Sequence, residues 1–460
     1  MGEGSRISDV SWGALMNQGD RRRGAWALYE WAQQPYWALI ATFIFTPYFA
    51  AGFVGDASRG QSLLGYAGAV SGLLIAVFSP LVGASVDARR NPRVWLVGLA
   101  VPFVLASAAL WLAVPGAHDR ILPILACLVV AGVAAELSGA VMNALLPLVA
   151  KPGQIGRLSG SAWALAYVGA LITLFVVLLC FSLPKVPMLG LSKALHEPDR
   201  IVGPLVAVWF LLFSWPLMLW APRPPATSAS KPLAELWATI RSLPQRRWML
   251  RFLIGRMLIG DGISSFIAFG GVLAAGMFGW TTTQLGLYAI ALSIAAGIGT
   301  FIGGRVDQKL GSKATVLIAA AVVLFGAFGV GCVGRDSLFF VLHVAPPVAG
   351  GALFSSLPER VFLGFSLFVG LTFGPAQASL RAWMAQLAPA GETGRWFGLY
   401  ALSGKATAFM APLVIAVGTR LVGDQRIAVA VSALFMITGA VVLARVPRQG
   451  PEEPAAAIAP

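Results

Sequence analysis

Six ionisable side chains stand well inside otherwise apolar stretches: Glu30, Glu136, Arg256, Asp261, Arg381 and Lys405. A charged side chain in hydrocarbon costs on the order of 2.5–3.5 kcal/mol even on the mildest scale, so such groups must face a polar cavity or one another. Acids and bases in equal number can hold a charged solute, carry a proton or exchange ion-pair partners. Nothing in the chain suggests catalysis: there is no nucleophile-and-base pair, metal-ligand cluster or phosphate-binding loop. An enzyme is disfavoured, no cofactor or metal is expected, and the energy for any work must come from a solute or ion gradient.

The elements that carry these charges follow from composition. The chain has 460 residues, 58% hydrophobic and 11% charged, with a mean hydropathy of +0.79, against about 25% charged residues in a soluble domain. It reads as an all-α polytopic membrane protein of twelve helices in two six-helix bundles, since each crossing takes about 20 apolar residues. Residues 1–23 are polar and end in Arg21, Arg22 and Arg23, the basic flank of an uncleaved first span. Spans one to six are expected over 24–50, 61–86, 94–114, 121–150, 156–181 and 201–221, forming a bundle over 24–221. A linker over 222–247 contains LAELWATIRSL, which has the spacing of an amphipathic helix lying on a membrane surface. The second bundle, 248–445, holds spans seven to twelve at 248–278, 284–306, 314–333, 361–387, 396–419 and 427–444. A short tail of disordered composition follows over 446–460. Residues 334–360 read as an extracytoplasmic excursion, with a re-entrant segment as the alternative.

The net charge of +14 is spread over short loops, which points to orientation in the bilayer and away from nucleic acid. Placing the amino terminus inside puts more than twice as many loop Lys and Arg on the cytoplasmic side as outside, so both termini are expected in the cytoplasm of an inner-membrane protein. Cys127, Cys180 and Cys332 show no metal or redox spacing and read as small core residues.

An internal repeat supports the division into halves. Span two ends in Gly83 and Asp87 followed by Arg89 and Arg90; span eight ends in Gly303 and Asp307 followed by Lys309. A Gly and an Asp four apart put a close-packing face beside a carboxylate that can accept from neighbouring helix amides or the basic loop. The pattern resembles the loop signature of the major facilitator superfamily, and its chemistry is that of a latch between helices. The buried charges obey the same triplet rule: spans one, four, seven and ten carry them, with Lys405 in span eleven, while spans three, six, nine and twelve have none. The apolar class suits lipid-facing support, and the charged class suits a central cavity.

Within that cavity Glu136, on roughly the same helix face as Asn143, and Asp261, between Gly260 and Gly262, are the leading proton carriers, because desolvation disfavours the charged form of an acid. His118, His196 and His343 fall in predicted external loops. Arg256 lies some 140° around the helix from Asp261, which leaves Lys405 as the expected partner of that acid. Glu30 reads as a cytoplasmic-side gate or cavity-mouth acid. Aromatics beside these charges are ligand candidates: Tyr29, Trp31, Tyr36 and Trp37, Trp163 and Tyr167, Trp396 and Tyr400. Trp111, Trp209, Trp215 and Trp220 read as membrane-interface anchors.

Several stretches together resemble the vacuolar amino-acid effluxer-like branch of the major facilitator superfamily, which also has many bacterial members. Its first span typically reads W-x-L-Y-D-W-A-N-S-x-Y, matched here from Trp26 through Tyr29, Glu30 and Trp31 to Tyr36. Further matches are Asn143 to Pro147, Arg157 to Tyr167, Asp261-Gly262, Gln377 to Arg381, Trp396 to Tyr400, and Gly404-Lys405 with Pro412. The chain departs from the pattern at Glu30 for Asp, at Gln33-Gln34 for Asn-Ser, and at Leu380, where a Ser usually precedes the Arg. The resemblance implies a twelve-helix secondary transporter working by alternating access, and it adds Gln377 to the candidate site. The expected function is proton-coupled movement of a small polar or zwitterionic solute, amino-acid-like or peptide-like, by a monomer in the bilayer. In that reading Arg381 or Lys405 takes a carboxylate and Glu30 or Glu136 takes an amine. An efflux pump for amphipathic compounds and a non-transporting scaffold or sensor with a carrier fold are the competing expectations.

Overall fold

The computed structural model describes residues 18–224, 232–347, 353–406, 410–422 and 426–450. Eleven helices are long and apolar enough to cross a membrane: Gly19–Phe53, Ser58–Arg89, Pro92–Leu112, His118–Ala144, Ile155–Ser182, Glu197–Trp220, Arg247–Phe278, Gln284–Leu310, Ser312–Gly331, Leu357–Leu387 and Ile427–Ala444. The expected eleventh span is occupied by two helices, Thr393–Ala406 and Met410–Val422, on either side of residues outside the described set. With these the order is that of twelve spans.

Helix ends are set by local chemistry. Asp56 caps span two through Ser58 N at 2.9 Å and Arg59 N at 3.1 Å, and Thr281 with Gln284 and Ser356 with Glu359 form reciprocal capping boxes for spans eight and ten. Span two stops where Arg90 turns left-handed at φ 52° just before Pro92 begins span three. Span one is α-helical to Pro35 and then π-helical over Tyr36–Phe43 and Phe49–Phe53, an irregularity that recurs at functional sites.

The packing repeats between halves. Span one packs on spans five and six, span four on two and three, and span three on six; likewise span seven packs on eleven and twelve, span ten on eight and nine, and span nine on twelve. Across the halves, span two packs on eleven and span eight on five, so each carries its Gly-and-Asp end to the opposite half. The linker contains the amphipathic helix Pro232–Ser242, with Leu236 and Thr239 buried and Leu233 and Trp237 exposed. In the excursion between spans nine and ten, Ser337–Leu338 pairs antiparallel with Leu342–His343, and the helix of span ten starts at Leu357. The described part of that loop is therefore a small hairpin.

Candidate functional site

Spans from both halves enclose a cavity of about 1240 Å³. All six charges lie on its wall: Glu30, Glu136, Arg256, Asp261, Arg381 and Lys405, joined by Asn143, Trp163, Tyr167, Gln377 and Tyr400. Tyr29 and Tyr36 lie outside this lining. Both are buried inside the first half, Tyr29 edge-on to Phe210 at 5.5 Å and Tyr36 edge-on to Phe103 at 5.4 Å. Helix geometry explains the split. Glu30, Gln33, Gln34 and Trp37 follow i, i+3, i+4, i+7 and share the cavity face, whereas Tyr29 and Tyr36 point about 100° away from it. Span eleven behaves alike: Phe397, Tyr400, Ala401 and Gly404 line the cavity, while Trp396 is fully buried beside Glu392.

Two ion pairs cross between the halves. Arg381 of span ten meets Glu30 of span one in a close, buried contact, and its other donors also reach the first half: Asn143 Oδ1 at 3.1 Å, Ser159 Oγ at 3.0 Å and Ser159 O at 3.1 Å. Its guanidinium lies 4.8 Å from the ring of Trp26 and 5.9 Å from that of Trp163. Lys405 Nζ lies 2.5 Å from Glu136 Oε1 and 5.8 Å from the Trp37 ring. The partner expected for Asp261 thus goes to Glu136. Sequence distance could rank only the groups on Asp261's own helix, while the pairing is made across the cavity. Asp261 itself is buried on the same wall.

The two Gly-and-Asp turns are absent from the cavity lining, and each contacts the opposite half. Gly83 packs against the Gly394 carbonyl, where a Cβ would collide. Asp87 accepts from Gly394 N and Arg395 N, each at 2.8 Å, at the start of span eleven, where the helix dipole favours an anion. In the second copy, Gly303 packs on Pro375, and Asp307 accepts from Ser312 Oγ at 2.9 Å and fills the space left by Gly156 at the start of span five. Arg90 Nε donates to Pro224 O at 3.0 Å; Arg89 and Lys309 are exposed. The end of span twelve is at the same face, where Lys313 donates to Ala444 O and Val446 O, both at 2.7 Å.

Sequence reasoning missed the receptors of these turns. Spans five and eleven open with a second repeat, Gly156-Arg157 with Gly160 and Gly394-Arg395 with Gly398, which could have identified them. Gly160 lies against Gly304, and Gly398 against Ser79, whose hydroxyl donates to Gly398 O at 2.9 Å. Trp209 also departs from expectation: it stacks on Trp31 at 5.3 Å inside the first half, while Trp215 and Trp220 are exposed as interface anchors would be.

The comparisons with known proteins agree with this architecture. The fold is that of the proton:xylose symporter XylE bound to 6-bromo-6-deoxy-D-glucose, with a TM-score of 0.69 at 14% identity over 94% of this chain and 96% of that one. It is also that of the E. coli fucose:proton symporter FucP, at 0.67 and 12% over 93% and 98%. The MFS-type transporter YxiO of Bacillus subtilis is 22% identical over 444 residues, 95% of this chain and 97% of its own length. Autophagy-related protein 22-1 of Penicillium rubens is 24% identical over 285 residues, 59% of this chain; the match spans only 45% of that fungal protein. The family model for vacuole effluxer Atg22-like proteins matches residues 151–453. With that match over well more than half of its length, on this fold, the chain belongs to the vacuole effluxer Atg22-like family of major facilitator transporters.

Proposed function

We propose that the protein is a secondary active carrier of a small polar or zwitterionic solute, amino-acid-like or peptide-like, working by alternating access in the inner membrane with both termini in the cytoplasm. The observation that carries this reading is the pair of inter-half ion contacts inside the cavity, Arg381 with Glu30 and Lys405 with Glu136. In this reading the two Gly-and-Asp turns act as latches between the halves, and alternating access requires the halves to part there and these pairs to exchange partners. A buried pair that loses one member leaves an uncompensated charge at a cost of about 3–5 kcal/mol. A solute that supplies a replacement charge, or a proton that neutralises the acid, offsets that cost only in the right state. Glu136 is the preferred proton site. Its side chain is about a quarter exposed, so a proton can reach it and release Lys405, whereas Glu30 is more deeply buried against Arg381.

The apolar share of the wall, including Trp37, Phe43, Val272 and Leu285, supports a second reading in which the cargo is amphipathic and leaves by efflux. Counterflow in liposomes separates the two. A panel of amino acids, dipeptides and amino sugars, with and without a pH gradient, is expected to reveal a carried solute whose uptake follows charge. Uptake that tracks ligand hydrophobicity favours the efflux reading. Arg381→Ala and Asp261→Asn are expected to remain folded in detergent and lose counterflow; full counterflow by both variants overturns the site.

A further inference from the structure

Of the three cations on the cavity wall, two are neutralised by the acids just described. Arg256 is not: among the described residues no carboxylate pairs with it, and its Nε is buried without a hydrogen-bond partner. What holds it is aromatic. The guanidinium carbon lies 4.1 Å from the centroid of the Tyr400 ring, and Tyr400 is itself stacked against Phe252 at 6.4 Å and edge-on to Phe397 at 5.8 Å. Gly404, one turn further along span eleven, leaves the room the guanidinium occupies, for a Cβ there would collide with its terminal nitrogens. The next residue, Lys405, is the cation already engaged by Glu136. Two consecutive positions of span eleven thus place two cations on one wall, and among the described residues only Lys405 is paired with a carboxylate.

A cation–π contact compensates a buried charge less fully than an ion pair does, so Arg256, with Nε buried and unpartnered, is placed to take an incoming anion. The planar fork of an arginine suits a carboxylate or a similar two-oxygen anion, and its clamping by Tyr400 and Gly404 lowers the entropy lost on binding. We infer that Arg256, clamped between Tyr400 and Gly404, is the anchor for the anionic group of the transported solute. This rests on the carrier reading and reassigns the carboxylate contact expected of Arg381 or Lys405, both of which already have acids.

The test uses the full chain in detergent and follows its melting temperature with three ligand pools: amino acids, their carboxamides, and monocarboxylates lacking an amine. The amino-acid and monocarboxylate pools are expected to raise the melting temperature, and the carboxamides to leave it unchanged. Apparent affinity is expected to weaken about 10- to 100-fold in Arg256→Gln and less in Arg256→Lys, with the unliganded melting temperature close to that of the wild type. If the monocarboxylates alone act through Arg256, the anchor stands and the amino-acid reading falls. Carboxamides acting as strongly as the acids overturn the anchor while leaving a polar-solute carrier intact. An undiminished acid-specific shift in a folded Arg256→Gln, or no shift from any pool in the wild type, also overturns it.

Discussion

The two latches are built from one repeated pattern and come out unequal. At the first, Asp87 takes two helix amides and also Arg395, whose Nε lies 3.6 Å away, and Arg395 in turn reaches Glu235 of the linker helix at 3.2 Å and Glu392 at 3.1 Å. At the second, Asp307 takes side-chain hydroxyls, from Ser312 and Ser379, and packs into the gap at Gly156, while Arg157, the repeat counterpart of Arg395, is exposed and joins no ion pair among the described residues. The linker helix is the cause of the difference. It packs on span two and brings Glu235 to the first latch, and among the described residues no such carboxylate reaches Arg157. One latch is therefore electrostatic and tied to the connection between the halves, and the other depends chiefly on close packing.

The largest effect expected from this contrast follows truncation of the acids. Asp87→Ala leaves two buried helix amides without an acceptor and takes from Arg395 one of its three carboxylates, and should cost about 3–5 kcal/mol, whereas Asp307→Ala should cost about 1–2 kcal/mol. Melting curves of the two purified variants measure this directly, and equal losses would show that the latches are equivalent after all. Next, Arg395→Gln should cost about 2–4 kcal/mol, while Arg157→Gln should stay within about 0.5 kcal/mol, because one side chain is buried among carboxylates and the other is in solvent. A matched loss at Arg157 would place a hidden partner there. The smallest effect belongs to Glu235→Gln, about 0.2–1 kcal/mol, since that side chain is partly exposed. Its loss should shrink further as salt is raised, and a salt-independent loss would mean that Glu235 acts through packing.

Legibility in the sequence divides along physical lines. Spans, linker helix and repeat were readable because each depends on local apolar length or on a short pattern that recurs. The candidate charges were readable because a charge in an apolar run is conspicuous wherever it is placed. Their partners were not. Lys405 meets Glu136 across the two halves, and Glu30 meets Arg381 from 351 positions away, distances over which sequence carries no geometric information. Nearness in sequence also misled at Tyr29 and Tyr36, which adjoin or follow Glu30 along the chain yet lie on another face of a helix whose rotation is fixed by packing on spans five and six.

The sequence by itself determined that this chain is a helical membrane protein built as two related halves, because hydrophobic length and periodicity act through the solvent and need no knowledge of neighbours. Only the tertiary structure decided which acids Arg381 and Lys405 meet, that Arg256 lies over Tyr400, and that two copies of one pattern make different contacts. Those outcomes depend on how helices from different halves are rotated and brought together, and Coulomb and packing energies change over a few ångströms that no spacing in the chain encodes.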